Sequence, residues 1–184
     1  MAEYYLISQL PSLDGITDST PLPVTSEKFT ELCRRFLGKK ALSELEKISL
    51  VPPRVAEKSS SPLIERWNEG ERNLRLALAR LRAEKMNKPT DDSSQLIPSS
   101  YLQAARTAAD ANDPMEAELL LNKIRLELLE ALRPMDSFSD EFIFYYAIKL
   151  KIIERIRKFD TASGEAAYRN IYDSIMNNDR QEVM

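Results

Sequence analysis

The stretch from Ser139 to Asp160, SDEFIFYYAIKLKIIERIRKFD, decides the fold of this protein. Ser139 is a typical N-cap residue, and Asp140 and Glu141 place negative charge in the first helical turn, where the helix dipole favours it. On a helical wheel the apolar side chains spread over roughly 200°, whereas a helix that is covered on one side needs a stripe of only about 100°. The stretch is therefore predicted to form a central helix that other helices cover from two or more sides.

Composition limits the class of protein. Of the 184 residues 43% are hydrophobic, enough to fill the core of one domain. The net charge of −3 and the pI of 5.3 argue against general binding to nucleic acid or to an anionic membrane, which requires a basic surface. No apolar run approaches the roughly 20 residues that span a bilayer. We therefore expect a soluble, cytoplasmic protein that meets a membrane only indirectly, through protein partners.

The residue types that are missing exclude several kinds of catalysis. The chain has no histidine and only one cysteine, Cys33, so zinc sites built from these ligands, Ser-His-Asp catalysis and Cys-His catalysis are all excluded. The four glycines lie far apart, which excludes phosphate-binding loops and dinucleotide fingerprints. Cys33 itself is predicted to be a small buried apolar residue. We expect no enzyme, no catalytic residue, no metal and no cofactor.

The order of capping residues, apolar stripes and prolines predicts an all-α protein, a multi-helix bundle of long amphipathic helices. Residues 1–10 form either a strand or a short helix packed on the bundle. We divide the chain into an N-terminal helical lobe (1–86), a polar connector (87–100) and a C-terminal helical lobe (101–184), packed as one compact domain. Ser163 is expected to cap the last helix, and the chain from Asn177 is expected to fray. Four side chains of this helix are predicted to face inward: Tyr168, Ile171, Tyr172 and Ile175.

The helix from Pro62 to about Met86 carries the most regular pattern in the chain. Its apolar residues follow each other at alternating steps of four and three, as in the seam of a coiled coil. Gly70 lies inside this seam, which indicates that another backbone approaches closely there. The remaining surface is charged and is either solvated or a face that docks an acidic partner. The seam residues are Leu63, Trp67, Gly70, Leu74, Ala77 and Leu81.

Two further features leave alternatives open. The helix from Pro114 to about Leu132 has two nearly opposite apolar stripes, so either both are covered internally or one is left for a partner. Lys149 falls inside the apolar arc of the central helix, where a lysine either extends to solvent, pairs with a carboxylate or acts as a functional charge. The stripe available to a partner would consist of Met115, Leu119, Leu126 and Leu129.

Several motifs resemble known families. The sequence Glu71-Arg72-Asn73-Leu74-Arg75, followed by Arg82 and Lys85, is similar to the Glu-x-x-Asn-Leu-(Arg/Lys) helix of the coupling subunit of V/A-type rotary ATPases. A second set of motifs resembles an uncharacterised bacterial family of small helical proteins encoded in V-type ATPase operons. These motifs are Asp113-Pro114-Met115-Glu116-Ala117-Glu118, Tyr146, Lys149-Leu150, Phe159-Asp160, Gly164, Tyr4-Tyr5-Leu6 and Leu10-Pro11.

The resemblance implies a non-catalytic role. Coupling subunits are all-helical funnels that seat the central stalk on the membrane rotor, and they are considerably longer than this chain, so the fold would match only part of theirs. The protein would then be a cytoplasmic subunit or accessory factor of a proton- or sodium-translocating V/A-type ATPase, which couples stalk to rotor or aids assembly. Its partners would be stalk or rotor subunits, contacted through Glu71, Arg72, Asn73, Arg75 and Lys149.

Two other classes of function remain beside this one. The protein could be a free-standing helical adaptor or assembly chaperone that binds a partner helix through the Met115, Leu119, Leu126 and Leu129 stripe. An enzyme that uses paired carboxylates and a bound metal would require several acidic side chains to converge in one cleft.

Overall fold

The computed structural model describes residues 2–16, 20–55, 58–89, 96–158 and 161–182, and all regular structure within these ranges is helical. The all-α prediction is therefore confirmed. Residues 1–10, for which the sequence allows a strand or a helix, contain a helix. The Phe159-Asp160 motif lies outside the described residues. The described helices are α1 (Ala2–Gln9), α2 (Ser26–Phe36), α3 (Lys39–Lys47), α4 (Pro62–Lys85), α5 (Ser99–Ala109), α6 (Pro114–Ala131), α7 (Asp140–Arg157) and α8 (Thr161–Glu182).

Helix α7 is the central helix that the sequence predicts. Ser139 caps it by accepting a hydrogen bond from the backbone N–H of Phe142. Six consecutive residues, 143–148, are buried. Because an α-helix has 3.6 residues per turn, six buried neighbours in a row mean that α7 is covered in every direction over this stretch. The main hydrophobic cluster surrounds it and also takes side chains from α1, α2, α3, the start of α4 and the end of α6.

Helix α4 belongs to two parts of the core. Its first half, including Trp67, packs into the main cluster around α7. Its second half lies against α5 and α6 through Leu74 and Ala77, which belong to two smaller clusters. At 24 residues α4 is about 36 Å long, enough to reach both regions. Helices on the two sides of the 87–100 connector thus pack together, and the division into lobes stays a prediction.

Side chains cap three helix starts, whereas the neighbour of Gly70 differs from the one predicted. Thr25, Ser61 and Asp113 each accept a backbone N–H at the start of α2, α4 and α6, as their residue types indicate. At Gly70, however, the close neighbour is a side chain rather than a backbone. A Cβ added at Gly70 would lie 3.0 Å from the hydroxyl oxygen of Tyr101 on α5. A glycine in a seam indicates a close approach, but the sequence does not say which atoms approach.

Helix α8 departs from expectation in three respects. It begins at Thr161, so Ser163 lies inside the helix, and it continues beyond Asn177 to Glu182, where a fraying end was predicted. The four apolar side chains that were expected to face inward are exposed instead, because an amphipathic pattern identifies one face of a helix and does not supply the element that covers it. The exposed fractions are 69% for Tyr168, 60% for Ile171, 51% for Tyr172 and 55% for Ile175.

Candidate functional site

The most polar part of the interior is an ion pair between α4 and α6. The side chain of Glu71 is 1% exposed and that of Arg125 is 6% exposed. Arg125 donates from Nε to Oε2 of Glu71 at 3.0 Å and from Nη2 to Oε1 at 3.1 Å. This bidentate geometry is the strongest arrangement of a guanidinium on a carboxylate.

The pair continues into a network that ties three helices together. On α4, Arg75 donates from Nε to Glu71 Oε1 at 2.9 Å. On α6, Arg125 Nη1 donates to Asn122 Oδ1 at 2.9 Å and to Glu118 Oε1 at 3.2 Å. Glu118 Oε1 also accepts from Arg155 of α7, at 3.0 Å from Nε and 2.7 Å from Nη2. We call these six residues the ion network; they are Glu71, Arg75, Glu118, Asn122, Arg125 and Arg155.

The ion network joins α4, α6 and α7 through charged hydrogen bonds. Both oxygens of Glu71 already accept hydrogen bonds from guanidinium groups, so this carboxylate is engaged in holding the helices together. Replacing Arg125 would leave the buried Glu71 with only the partly exposed Arg75 as a counter-charge, which is strongly destabilising. The network therefore fixes α4, α6 and α7 relative to one another.

Sequence reasoning missed Glu118, Asn122 and Arg125 because it followed apolar residues along α6. The face of α6 that is buried carries Leu121, Asn122, Arg125 and Leu129, so polar and apolar side chains share it. A usable signal was present: Arg125 lies four residues from leucine on both sides, a position inside an apolar stripe. A charged residue there predicts an internal counter-charge.

The residues predicted to contact a partner are spread over several environments. Glu71 is buried and Arg75 is 40% exposed, both within the ion network. Arg72 and Asn73 are half-buried on the neighbouring positions of α4. The apolar stripe predicted for a partner changes in exposure along α6. Met115 and Leu119 are 39% and 37% exposed, Leu126 is half-buried against the main cluster, and Leu129 is buried. Partner binding at these positions stays a prediction.

Lys149 is paired with a carboxylate, which is one of the three interpretations that the sequence allows. Its Nζ lies 2.5 Å from Asp14 Oδ1 and 3.3 Å from the hydroxyl of Tyr145. Burial by itself would lower the pKa of Lys149, but the hydrogen bonds to Asp14 and Tyr145 outweigh it and raise the pKa. The same contact lowers the pKa of Asp14. The Tyr145 hydroxyl donates to Glu130 at 2.5 Å, which lowers the pKa of that carboxyl.

A groove of about 440 Å³ lies between α6, α7 and the loop that precedes α2, and we call it the α6–α7 groove. Apolar side chains and charged side chains of both signs line it. Lys149 and Asp14, which form an ion pair, are both among the lining residues. The apolar lining is Leu13, Ile16, Leu126, Leu129, Ile153 and Ile156, and the charged lining is Asp14, Lys123, Glu127, Glu130, Lys149 and Arg157.

A cluster of exposed aromatic rings lies where α1 meets the connection between α6 and α7. The rings of Tyr4 and Phe138 stack with centroids 4.9 Å apart, and Tyr5 meets Tyr4 edge-on at 6.4 Å. Their exposed fractions are 57% for Tyr4, 63% for Tyr5 and 50% for Phe138. We call these three residues the α1 aromatic patch. Exposed apolar patches of this kind mark interaction surfaces more often than isolated apolar residues do.

The single cysteine is buried, and the described carboxylates form no cluster that could hold a metal ion. Cys33 is fully buried, and burial raises the pKa of its thiol to about 12, so the prediction of a buried apolar cysteine is confirmed. Among the described residues, no three cysteine, aspartate or glutamate side chains are grouped so that they could hold a metal ion. None of the described helices combines the length and apolar character needed to cross a bilayer.

Residues 98–179 match the model of the family described as "Protein of unknown function (DUF2764)". The matched region contains α5, α6 and α7 and most of α8, and so includes the α6 and α7 parts of both the α6–α7 groove and the ion network. Glu71 and the two tyrosines of the α1 aromatic patch lie outside it. No curated protein matches the chain. No solved structure matches it either.

Proposed function

We propose that this protein is a non-catalytic subunit or accessory factor of a V/A-type rotary ATPase, which binds stalk or rotor subunits through its helices in the cytoplasm. The similarity of Glu71-Arg72-Asn73-Leu74-Arg75 to the helix of the coupling subunit supports the proposal. The second set of motifs, similar to proteins encoded in V-type ATPase operons, supports it as well.

The α1 aromatic patch is the observation that carries the proposal. Tyr4-Tyr5-Leu6 belongs to the motifs that resemble the operon-encoded family. Leu6 is fully buried and serves the fold, whereas Tyr4 and Tyr5 are more than half exposed. Tyrosines that serve only the fold would be expected to pack inside. Aromatic side chains are enriched at protein–protein interfaces, where they supply most of the binding energy. The two tyrosines, together with Phe138, are the anchor we assign to an ATPase subunit.

The proposal is tested by affinity capture from the native membrane fraction. The full-length protein is compared with the Tyr4→Ser/Tyr5→Ser double variant, which removes two rings of the patch and leaves Leu6 in the core. Val55→Ser is the matched control, since Val55 is a large apolar residue that is 77% exposed outside the patch. We expect the wild type and Val55→Ser to recover ATPase subunits and the double variant to recover far less. Failure of the wild type to recover any ATPase subunit would contradict the proposal.

A free-standing helical adaptor is the second candidate, and the exposed side chains of Met115 and Leu119 favour it. Methionine and leucine on one helix face suit a groove-forming partner helix. The Met115→Ser/Leu119→Ser variant separates the candidates in the same capture experiment. If this variant loses a partner that is not an ATPase subunit while the Tyr4→Ser/Tyr5→Ser variant keeps it, the adaptor function is favoured.

A further inference from the structure

A pocket of about 240 Å³ lies where the C-terminal ends of α4 and α5 meet the start of α6, and we call it the α4–α5–α6 pocket. Lys85 joins two of its walls by donating from Nζ to the backbone oxygen of Ala109, at 2.9 Å. The pocket shares no described lining residue with the α6–α7 groove, the ion network or the α1 aromatic patch. Its described lining consists of Leu78, Leu81, Arg82, Lys85, Ala108, Ala109, Ala117 and Leu121.

The pocket is apolar inside and positively charged towards solvent. Ala108 and Leu121 are 4% and 6% exposed, so they lie at its inner end. Arg82 and Lys85 are exposed, and their spacing of three residues places them on one face of α4. Hydrocarbon therefore forms the inner end, and two cations lie at the opening.

Among the described lining residues, no carboxylate balances these two cations. Glu84 and Asp110, which lie close in sequence, are exposed and are not part of the lining. Asp113 accepts the backbone N–H of Glu116, and Glu116 accepts that of Asn112, so both carboxylates are engaged at the start of α6. The opening therefore carries a net positive charge, whereas side chains of both signs line the α6–α7 groove.

Lys85 and Arg82 both retain hydrogen-bond donors for an anion. The last carbonyls of α4 and α5 carry partial negative charge, and that of Ala109 accepts one of the three N–H donors of Lys85. No described residue uses the other two donors. Arg82 makes no hydrogen bond or ion pair with the described part of the chain. Both side chains can therefore bind the same anion at the opening.

The size and charge of the pocket define the chemistry of a ligand. Its volume lies below the range of about 300–1,000 Å³ for pockets that take drug-sized ligands, so the ligand is small. At roughly 30 Å³ for a group of the size of water, the pocket holds about eight such groups. A hydrocarbon chain matches the apolar inner end, and a carboxylate matches the guanidinium and ammonium groups at the opening. A peptide is disfavoured, because no side chain of the described lining accepts a hydrogen bond from its amide N–H groups.

We propose that the α4–α5–α6 pocket binds a free apolar carboxylate of about eight carbon atoms, with its chain at the inner end and its carboxylate between Arg82 and Lys85. The inference goes beyond the proposed function, and it does not depend on the ATPase. Ala117 of this pocket and Phe138 of the α1 aromatic patch are separated by most of α6, about 20 Å along its axis. The two sites can therefore be tested separately.

Titration of the nitrogen-15-labelled full-length protein with octanoate tests the site by NMR. The amide signals of Ala109 and Ala117 should shift and reach saturation. Octylamine has the same chain length and is cationic at neutral pH. It should bind at least about tenfold more weakly, since attraction by two cations becomes repulsion. Octylamine binding as tight as that of octanoate, or no saturable shift of these two amides with octanoate, would overturn the proposal.

Arg82→Gln tests the position of the carboxylate, and the change is made at an exposed residue that the fold does not require. It should weaken octanoate binding about two- to fivefold, the range for one exposed charge pair, and leave the binding of 1-octanol unchanged. Arg66→Gln is the matched control, because Arg66 is also exposed on α4 but lies about 24 Å from Arg82 along the helix. This control should bind octanoate as the wild type does. Equal effects of the two variants on octanoate binding would contradict the proposal.

Ala117→Leu tests the apolar part of the pocket by filling it. Octanoate binding should fall at least about tenfold, because the larger side chain removes the apolar contacts of several methylene groups. Ala79→Leu is the control, since Ala79 is exposed on α4 outside the described lining, and it should keep the binding. Circular dichroism and urea unfolding establish that both variants are folded. Unchanged octanoate binding by the folded Ala117→Leu variant would overturn the site.

N-acetyl-leucine distinguishes a free carboxylate from the end of a peptide chain. It carries a carboxylate and an apolar side chain as a C-terminal leucine does, together with an amide group. We expect it to bind more weakly than octanoate, because its amide N–H finds no acceptor among the described lining side chains. Tighter binding of N-acetyl-leucine than of octanoate would overturn the assignment of the pocket to a free apolar carboxylate.

Discussion

Replacing Arg125 by methionine should be one of the most damaging single changes in this protein. The substitution keeps a long apolar stem and removes the guanidinium that holds both oxygens of Glu71. Glu71, with 1% of its side chain exposed, would then depend on Arg75, which is 40% exposed and can turn to solvent. Leaving a buried charge without its partner costs about 3–5 kcal/mol, a large part of the roughly 5–15 kcal/mol that typical domains have.

An exposed ion pair provides the comparison for the buried one. Arg34 and Glu46 also lie 3.0 Å apart, but their side chains are 59% and 47% exposed. Arg34→Met should therefore reduce the free energy of unfolding by less than about 1 kcal/mol. The two variants remove the same group and insert the same residue, so the difference between them measures the combined effect of burial, of the bidentate contact and of the additional bonds that Arg125 makes.

The double variant Glu71→Leu/Arg125→Met should recover most of the lost stability, because no unpaired charge remains at the contact. Asn122 would still lose the donor to its Oδ1, and its Nδ2 already lacks a hydrogen-bond partner in the structure. An unsatisfied buried acceptor costs about 1–3 kcal/mol, so the double variant should stay below the wild type by about that amount.

Equilibrium unfolding in urea measures these differences. Circular dichroism and the fluorescence of Trp67, the single tryptophan, should give coincident transitions if unfolding is two-state. The slope of free energy against urea should stay constant among the variants. The reasoning is refuted if Arg125→Met costs no more than Arg34→Met, or if the double variant is as unstable as Arg125→Met alone.

Three further predictions concern single sites. Cys33 should resist a thiol reagent at pH 8 in the folded protein and react at once in denaturant, since its pKa of about 12 and its burial both protect it. Asp14→Asn should reduce the loss of stability in acid, because Lys149 lowers the pKa of Asp14 in the folded protein. The stability that the Asp14–Lys149 pair contributes is present above about pH 4 and disappears as the pH falls through the folded pKa of Asp14. Thermal melting at several pH values should show a change below about 1 kcal/mol, since the Asp14 side chain is 65% exposed. In a Tyr101→Phe background, Gly70→Ala should raise stability by up to about 1 kcal/mol in urea, whereas with the Tyr101 hydroxyl present the gain should be smaller or absent.

The helices and their starts could be predicted because the signals are local. Ser139 before a run of acidic and apolar residues, or Asp113 before Pro114, specifies a helix start through hydrogen bonds within one turn. The central position of α7 was equally accessible, since apolar residues around most of a wheel require cover on several sides. These features depend on neighbours in sequence.

The ion network and the environment of α8 depend on other segments, and there the sequence was insufficient. Arg125 is compatible with a buried site only because Glu71, 54 residues away, lies opposite it. The apolar periodicity of α8 is that of an amphipathic helix covered on one side, yet its stripe is exposed. Periodicity reports that a face is apolar, and the covering element has to be found elsewhere in the chain or on another molecule.

The placement of the motif on α4 changes what its resemblance can indicate. Glu71 and Leu74 are buried and Arg75 completes the ion network, so three of the five residues from Glu71 to Arg75 serve the packing of α4 against α6 and α7. A match at these positions therefore argues first for a similar helix packing and only then for a similar partner. Arg72, Asn73 and Arg75 are the residues of the motif left partly exposed. An interface on this face of the protein has to act through those three side chains, or through neighbouring exposed surface, rather than through Glu71.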